Sequence, residues 1–196
     1  MMERLAGILL FMVSLPLMLL LAAISFVCFG RRCFFSSTRL GYGGKHFEIY
    51  KFTSLAHWEQ SRFEEYLEQH PDCKRQWLQK HKLYDDPRCG KWGHFLRRFS
   101  LDELPQLLNV VRGEMALVGP RPITQEEVHL YGEHARQLFS VKPGITGLWQ
   151  VSGRNLTTYR RRVAIDVFYA HHKCIALDMW ILYRTFWAVL SGKGAF

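Results

Sequence analysis

The sequence predicts a mainly helical α+β protein, with a membrane-embedded helix over residues 1–32 and a small cytosolic domain over 33–196. Three observations carry this. Leu5 to Phe29 is a run of 25 residues without a charge. Apolar residues at helical spacing, such as Leu104, Leu107, Leu108 and Val111, recur through the remainder of the chain. One alternating strand pattern, Phe47 and Ile49 and then Phe52, comes after a glycine-rich turn.

The apolar run is long enough to cross a bilayer, which needs about 20 residues. It is too long for a signal peptide, and no A-x-A cleavage site follows Leu21-Ala22-Ala23. Pro16 falls near its middle, with Ser14 two residues before. Proline removes one helical hydrogen bond and clashes with the preceding turn, so a kink or break is expected there. A hydroxyl can satisfy a freed carbonyl within lipid. Two arrangements are open. A spanning helix would place its N-terminus outside, because Arg31, Arg32 and Arg39 lie on the C-terminal side. A re-entrant hairpin would return both ends to the cytoplasm, each arm of about 11 residues reaching roughly 17 Å.

Gly41, Gly43 and Gly44 make a hairpin turn before the strand. His57 to Leu83 reads as helix, broken near Pro71-Asp72. Asp86-Pro87-Arg88 is a turn. Ser100-Leu101-Asp102-Glu103 is a capping-box pattern that would start a helix through Val111, with Pro105 tolerated in its first turn. Thr124 to Val141 reads as a polar helix. Turns come at Pro143–Gly147 and Ser152–Asn155, and Leu156 to Leu190 is mostly helical. Its last part, from Ile175, is strongly apolar but interrupted by Asp178 and Arg184, which suits an interfacial helix or a buried core helix rather than a second span.

The net charge of +9 points to a polyanionic partner: nucleic acid, anionic lipid or a phosphate-bearing substrate. No helix-turn-helix, zinc-finger or RNA-binding aromatic pattern is present, which disfavours nucleic acid. The five cysteines form no C-x-x-C pair, so neither a disulfide frame nor a zinc site is indicated. The nine histidines show no metal-ligand spacing.

The chemistry concentrates in Phe95 to Pro122. Arg97 and Arg98 precede the Asp102-Glu103 carboxylate pair, and a Gly119-Pro120-Arg121-Pro122 turn comes after it. Cations beside adjacent carboxylates suit the holding of phosphates and a metal ion. The stretch LRR-SLDELPQL-NV--G-M-LVGPRP, with PGITGLWQVSGR at Pro143 to Arg154 and the D-x-x-Y-x8-D of Asp166, Tyr169 and Asp178, resembles the signature of the monotopic phosphoglycosyl transferases, the bacterial sugar transferase family. The resemblance runs from about Gly41 to about Thr185. It departs at Thr53 and Phe99, where the family usually has Arg and Thr.

The resemblance implies a membrane helix broken at a Ser-Pro-type motif, here Ser14-Leu15-Pro16. It implies Asp102 as a nucleophile attacking the β-phosphate of a UDP-sugar. Glu103 would position Mg²⁺ with Asp102 or take a proton. Lys51, Arg97, Arg121 and Arg154 would bind phosphates, and Asp166 and Asp178 would tune the site or pair structurally. UMP would leave, and a polyprenyl phosphate (undecaprenyl phosphate) would accept the sugar-phosphate at the inner membrane of a bacterium, with the catalytic domain facing the cytoplasm. The insertion ending at Lys82 to Arg88 is similar to that of the galactose and hexose branch. A homodimer is compatible with the family, although no residue here specifies one. The other reading is a membrane-attached scaffold that has lost activity.

Overall fold

Met2–Phe29 forms a single helix, α1, in a computed structural model that describes residues 2–80, 83, 85–153 and 157–192. Residues Glu3–Arg32 make the one segment, among the described residues, long and apolar enough to cross a membrane. The helix continues through Pro16 rather than ending there. Pro16 leaves the Met12 carbonyl without its helical partner. Ser14 does not repair that carbonyl: its hydroxyl donates to the Phe11 carbonyl at 3.2 Å. The turns on either side are held by the domain instead. A Cβ at Gly7 would come within 2.6 Å of Val110 Cγ1, so only glycine allows this approach. Leu21 packs with Phe52 and Leu96. The fully buried Ser25 hydroxyl accepts the Trp92 indole N–H at 2.9 Å. On the outer side Leu9, Val13, Leu20 and Val27 are exposed.

After a 3₁₀ turn at Gly30–Arg32, strands β1 (Phe34–Leu40) and β2 (His46–Phe52) pair antiparallel, Leu40 opposite His46. The joining turn carries Gly43 and Gly44 at positive φ, as the glycine cluster predicts. β1 has no clear alternation and escapes sequence reading. Helices α2 (Gln60–Gln69) and α3 (Pro71–Lys80) flank the expected break, with Pro71 opening the second. They carry a small core of Phe63, Leu67 and Leu83. Helix α4 is Lys91–Arg98. A 3₁₀ segment, Leu101–Gln106, runs into the short helix α5 (Leu107–Arg112).

Strand β3 (Ala116–Val118) pairs in parallel with β4 (Gly144–Thr146). Between them the predicted helix Thr124–Val141 divides into α6 (Val128–Tyr131) and α7 (Ala135–Leu138), because Gly132 takes φ 51°. One turn of helix, α8 (Leu148–Val151), comes after β4. The C-terminal helical region is two helices, α9 (Tyr159–His172) and α10 (Ile175–Ser191). The Thr158 hydroxyl caps α9 by accepting from the Arg161 N–H. In α10 Ile181 is fully buried against Val118 and Tyr169, while Ile175, Met179, Tyr183, Phe186 and Trp187 are exposed. That broad apolar outer face decides against a fully buried core helix.

Candidate active site

Asp102 and Glu103 sit on the 3₁₀ segment between α4 and α5, immediately after Ser100. Ser100 has φ 54° and ψ 25°, and is the only non-glycine residue at positive φ among the described residues. Left-handed backbone is unfavourable for a serine, and such strain collects at functional sites. The expected capping box does not form. Ser100 makes no side-chain cap, and Glu103 turns its carboxylate away from the backbone. Glu103 Oε1 accepts from Lys51 Nζ at 2.6 Å and from an Arg121 N–H at 3.2 Å. Two cations offer a carboxylate more than one backbone N–H does.

Lys51 comes from β2, which hydrogen bonds to β1 on one side and packs against the Leu101–Gln106 segment on the other. Arg121 comes after β3 in the Gly-Pro-Arg-Pro turn. A Cβ on Gly119 would lie 2.4 Å from the Lys142 carbonyl, and one on Gly144 would lie 2.1 Å from the Gly119 nitrogen. These glycines allow the backbones to approach closely enough to fix the turn. Arg97 closes the other side from the last turn of α4, its Nε–H donating to Ser54 Oγ at 2.9 Å.

These groups line a cleft of about 740 Å³, which also takes in Leu10 and Ser14 of α1 and Leu182, Thr185 and Val189 of α10. One wall is therefore charged and another apolar. Among the described residues Asp102 makes no hydrogen bond or ion pair, so its carboxylate is available to a ligand. Burial and then the Glu103 charge push Asp102 up to about 6, against the pull of Lys51, Arg97 and Arg121. Burial also raises Glu103, but Lys51 and Arg121 outweigh it and hold the group at about 2. The two neighbours are thus driven apart: a fixed anion that gathers cations, and a poised carboxylate that titrates near neutrality.

No group of three or more His, Cys, Asp or Glu residues that could hold a metal ion occurs among the described residues. The donor set nonetheless fits Mg²⁺, which takes one or two carboxylates and completes its shell with phosphate and water. Asp102 has free lone pairs, and Glu103 adjoins it.

Of the predicted site residues, Lys51, Arg97, Asp102, Glu103, Arg121 and Ser14 converge on the cleft, and Pro16 does not line it. Arg154 lies outside the described residues. Asp166 and Asp178 are not in the lining either. Asp166 is buried, accepting from the Tyr131 hydroxyl at 2.7 Å with Arg162 Nε at 3.6 Å. Burial raises its carboxyl to about 6 despite those partners. Asp178 accepts from the Tyr169 hydroxyl at 2.7 Å, joining the start of α10 to α9. Both pair structurally here. Sequence reasoning missed Ser54, which orients Arg97, and Trp77, Asp86, Arg88 and Trp149, which line the cleft. Asp86, Arg88 and Trp149 fall inside stretches that carry the family resemblance, but neither stretch marks them as cleft residues, and Ser54 and Trp77 have no spacing signal at all.

The arrangement combines a free carboxylate, three cations and an apolar wall, which is the equipment of phosphoryl transfer beside a membrane. The model of the family described as bacterial sugar transferase matches residues 1–192. Related proteins include the exopolysaccharide production protein ExoY of Rhizobium meliloti, 40% identical over 92% of this chain and 80% of its own. The UDP-galactose-lipid carrier transferase of Erwinia amylovora is 45% identical over 81% of this chain and 33% of its own. The undecaprenyl-phosphate galactose phosphotransferase of Salmonella typhimurium is 42% identical over 85% of this chain and 35% of its own. The chain spans most of the first but only about a third of the other two. The protein belongs to the bacterial sugar transferase family.

Proposed function

We propose that the protein transfers a hexose-1-phosphate from a UDP-sugar, UDP-galactose or UDP-glucose, to undecaprenyl phosphate, and so initiates a surface polysaccharide. The observation that carries this is the unpartnered Asp102 carboxylate in a cleft shared by Lys51, Arg97 and Arg121 and by the apolar faces of α1 and α10.

The Asp102 carboxylate attacks the β-phosphorus of the donor. The P–O bond to the α-phosphate breaks, UMP leaves with that oxygen, and a sugar-phosphoryl group remains on Asp102 as a mixed anhydride. An oxygen of the polyprenyl phosphate then attacks the same phosphorus. The acyl-phosphate bond breaks, Asp102 is restored, and a lipid diphosphate sugar departs. Lys51, Arg97 and Arg121 reduce the repulsion between an anionic nucleophile and an anionic pyrophosphate. Mg²⁺, held by Asp102 and Glu103, would neutralise phosphate charge.

The docking of both ends of α1 supports the arrangement in which they share one side of the membrane, although α1 is a single helical segment rather than two separate arms. Near its start, Arg4 donates to the Val111 and Arg112 carbonyls at the end of α5, and Glu3 pairs with Lys173 at 3.3 Å. Near its end, Ser25 bonds Trp92. Contact of both ends with the same domain supports putting both on one side of the membrane, which under this reading is the cytoplasm, where the nucleotide-sugar donor resides.

The test is release of UMP from a panel of UDP-sugars with Mg²⁺ and undecaprenyl phosphate, using the full chain in nanodiscs and its Asp102→Asn variant. Release with one sugar, abolished by the substitution, is expected. Folded protein that releases UMP from none of them is the scaffold, and the transferase reading fails.

A further inference from the structure

Between Arg97 and Asp102 the chain holds a serine in a backbone conformation that its side chain disfavours. Helix α4 ends at Arg98, and Ser100, two residues on, reverses the chain at φ 54° and ψ 25°. Its N–H donates to the Arg97 carbonyl at 3.0 Å, and its carbonyl accepts the Glu103 N–H at 3.2 Å. This is the left-handed position that closes a helix. Glycine fills it without strain because it has no Cβ, and asparagine is the usual second choice. Serine is neither, so the ending of α4 does not explain the residue that stands here.

The side chain offers a reason. Among the described residues Ser14, Ser100, Thr146 and Thr185 bring hydroxyls to the lining of the cleft. Ser14 donates to the Phe11 carbonyl at 3.2 Å. Thr185 donates to the Ile181 carbonyl at 2.7 Å, and the Thr146 and Thr185 hydroxyls pair with each other at 2.7 Å. The hydroxyl of the half-buried Ser100 alone has no hydrogen-bond partner among the described residues. Phe99 and Leu101, on either side of it, carry no hydroxyl. Ser100 thus brings an unengaged donor to the same lining to which Asp102 brings an unengaged carboxylate. Two peptide units separate the two residues, so chain length alone keeps their Cα atoms within about 7 Å. The cations nearby already have partners: Lys51 and Arg121 bond Glu103, and Arg97 Nε bonds Ser54. A neutral hydroxyl is not drawn to Glu103 in this way. It rotates about its C–O bond and can follow an oxygen that moves as a bond to phosphorus forms.

We propose that Ser100 is a catalytic residue whose hydroxyl donates a hydrogen bond to a non-bridging oxygen of the phosphoryl group that Asp102 attacks. This donor is why serine, rather than glycine, closes the turn. The inference rests on the transferase reading, in which one phosphorus is attacked first by Asp102 and then by the polyprenyl phosphate, so the contact serves both half-reactions.

The experiment compares Ser100→Gly, which removes both the hydroxyl and the strain, with Ser100→Ala, which removes the hydroxyl and keeps a Cβ at positive φ. UMP release by the full chain in nanodiscs gives kcat and KM for the UDP-sugar that the wild type uses. Both variants are expected to lose about a hundredfold in kcat, the size of effect that follows loss of one preorganised donor. KM is expected to stay within about threefold, as for an interaction made chiefly in the transition state. Melting curves monitor the fold: Gly should melt higher than wild type and Ala close to it. Ser100→Cys, of nearly the same size and only a weak donor, replaces Ala should that variant unfold. A Gly variant with wild-type kcat would make Ser100 no more than the end of α4 and overturn the proposal. An active Ala beside an inactive Gly would assign the effect to the backbone rather than to the hydroxyl, and a loss confined to KM would place the hydroxyl away from the reacting phosphorus. Either result also overturns it. The wild type, measured in parallel, separates the two readings. An active wild type with unaltered Ser100 variants refutes the role of Ser100 alone, while a folded wild type that releases no UMP refutes the transferase reading and this role with it.

Discussion

Replacing Glu103 by Gln tests how the site divides its two carboxylates. Burial is the largest influence raising Asp102 to about 6 from its ordinary 3.8, and the Glu103 charge is the second. A neutral amide removes that like charge, and Lys51 and Arg121 are no longer shared with a competing anion. Removal of one nearby charge moves a carboxyl midpoint by roughly one pH unit, equivalent to about 1.4 kcal/mol. The Asp102 midpoint is therefore expected near pH ~5 in the variant. At pH 6 the ionised fraction would rise from about half to about nine-tenths, by the titration relation for that displacement. The assay is a ¹³C NMR titration of side-chain carboxyl-labelled aspartate in the full chain, in nanodiscs with EDTA. The chain contains six aspartates, and Asp102→Asn identifies the resonance. Activity is not the readout, because Glu103 is itself placed in the machinery. An Asp102 midpoint that stays near 6 would show burial acting alone. A midpoint that rises would show Glu103 serving chiefly to hold the cations in place. Either result refutes the reasoning.

Three further outcomes are expected. Asp102→Asn should stabilise the metal-free protein above pH 6. The folded-state midpoint of Asp102 is raised from 3.8 to about 6, so the stability it contributes is complete below 3.8 and is lost as pH rises through about 6. The gain, of order 1–3 kcal/mol at pH 7.5 by that linkage, should shrink as pH falls toward 4, and thermal or denaturant melts across pH 4–8 will measure it. Gly144→Ala places a Cβ 2.1 Å from the Gly119 nitrogen and 2.5 Å from the Thr146 carbonyl, all backbone that cannot step aside. It should destabilise the domain by about 1–3 kcal/mol or more and lower UMP release by moving Arg121, whereas a wild-type melting temperature would refute the close approach. A cysteine at Glu3 should be shielded from an impermeant maleimide added outside spheroplasts and labelled only after permeabilisation. Labelling from outside would establish a spanning helix.

The chain itself determined the parts that depend on short stretches. An uncharged run of 25 residues can only be a membrane or core element, and its length and flanking arginines made the first the better reading. Glycines at 43 and 44 dictated a hairpin turn, because glycine admits the positive φ it needs, and Pro71 dictated where α2 gives way to α3, because proline fixes φ, whatever surrounds them. The candidate site was legible as a set of residue types: Arg97, Asp102, Glu103 and Arg121 fall within one stretch of sequence. Their division of labour was not. Asp102-Glu103 reads locally as the start of a capped helix, and that preference of about 1 kcal/mol yields to Lys51, which arrives from a strand far away in the chain and pairs with Glu103. Pro16 reads as a kink or break; α1 runs through it as one helical segment, with Gly7 on one side and Leu21 and Ser25 on the other in close contact with the domain. Asp166 and Asp178 share a motif with the site in sequence, but neither lines the cleft: Tyr131 and Arg162 hold the buried Asp166, and Tyr169 holds the half-buried Asp178. Trp77 carries no pattern of its own, and Asp86 and Arg88 read only as a turn, yet the fold brings all three into the lining of the cleft. Local conformation is set by steric limits within a few residues. Which carboxylate is free, which is paired and what lies opposite depend on charges and rings brought together from distant positions, and those only the tertiary structure decides.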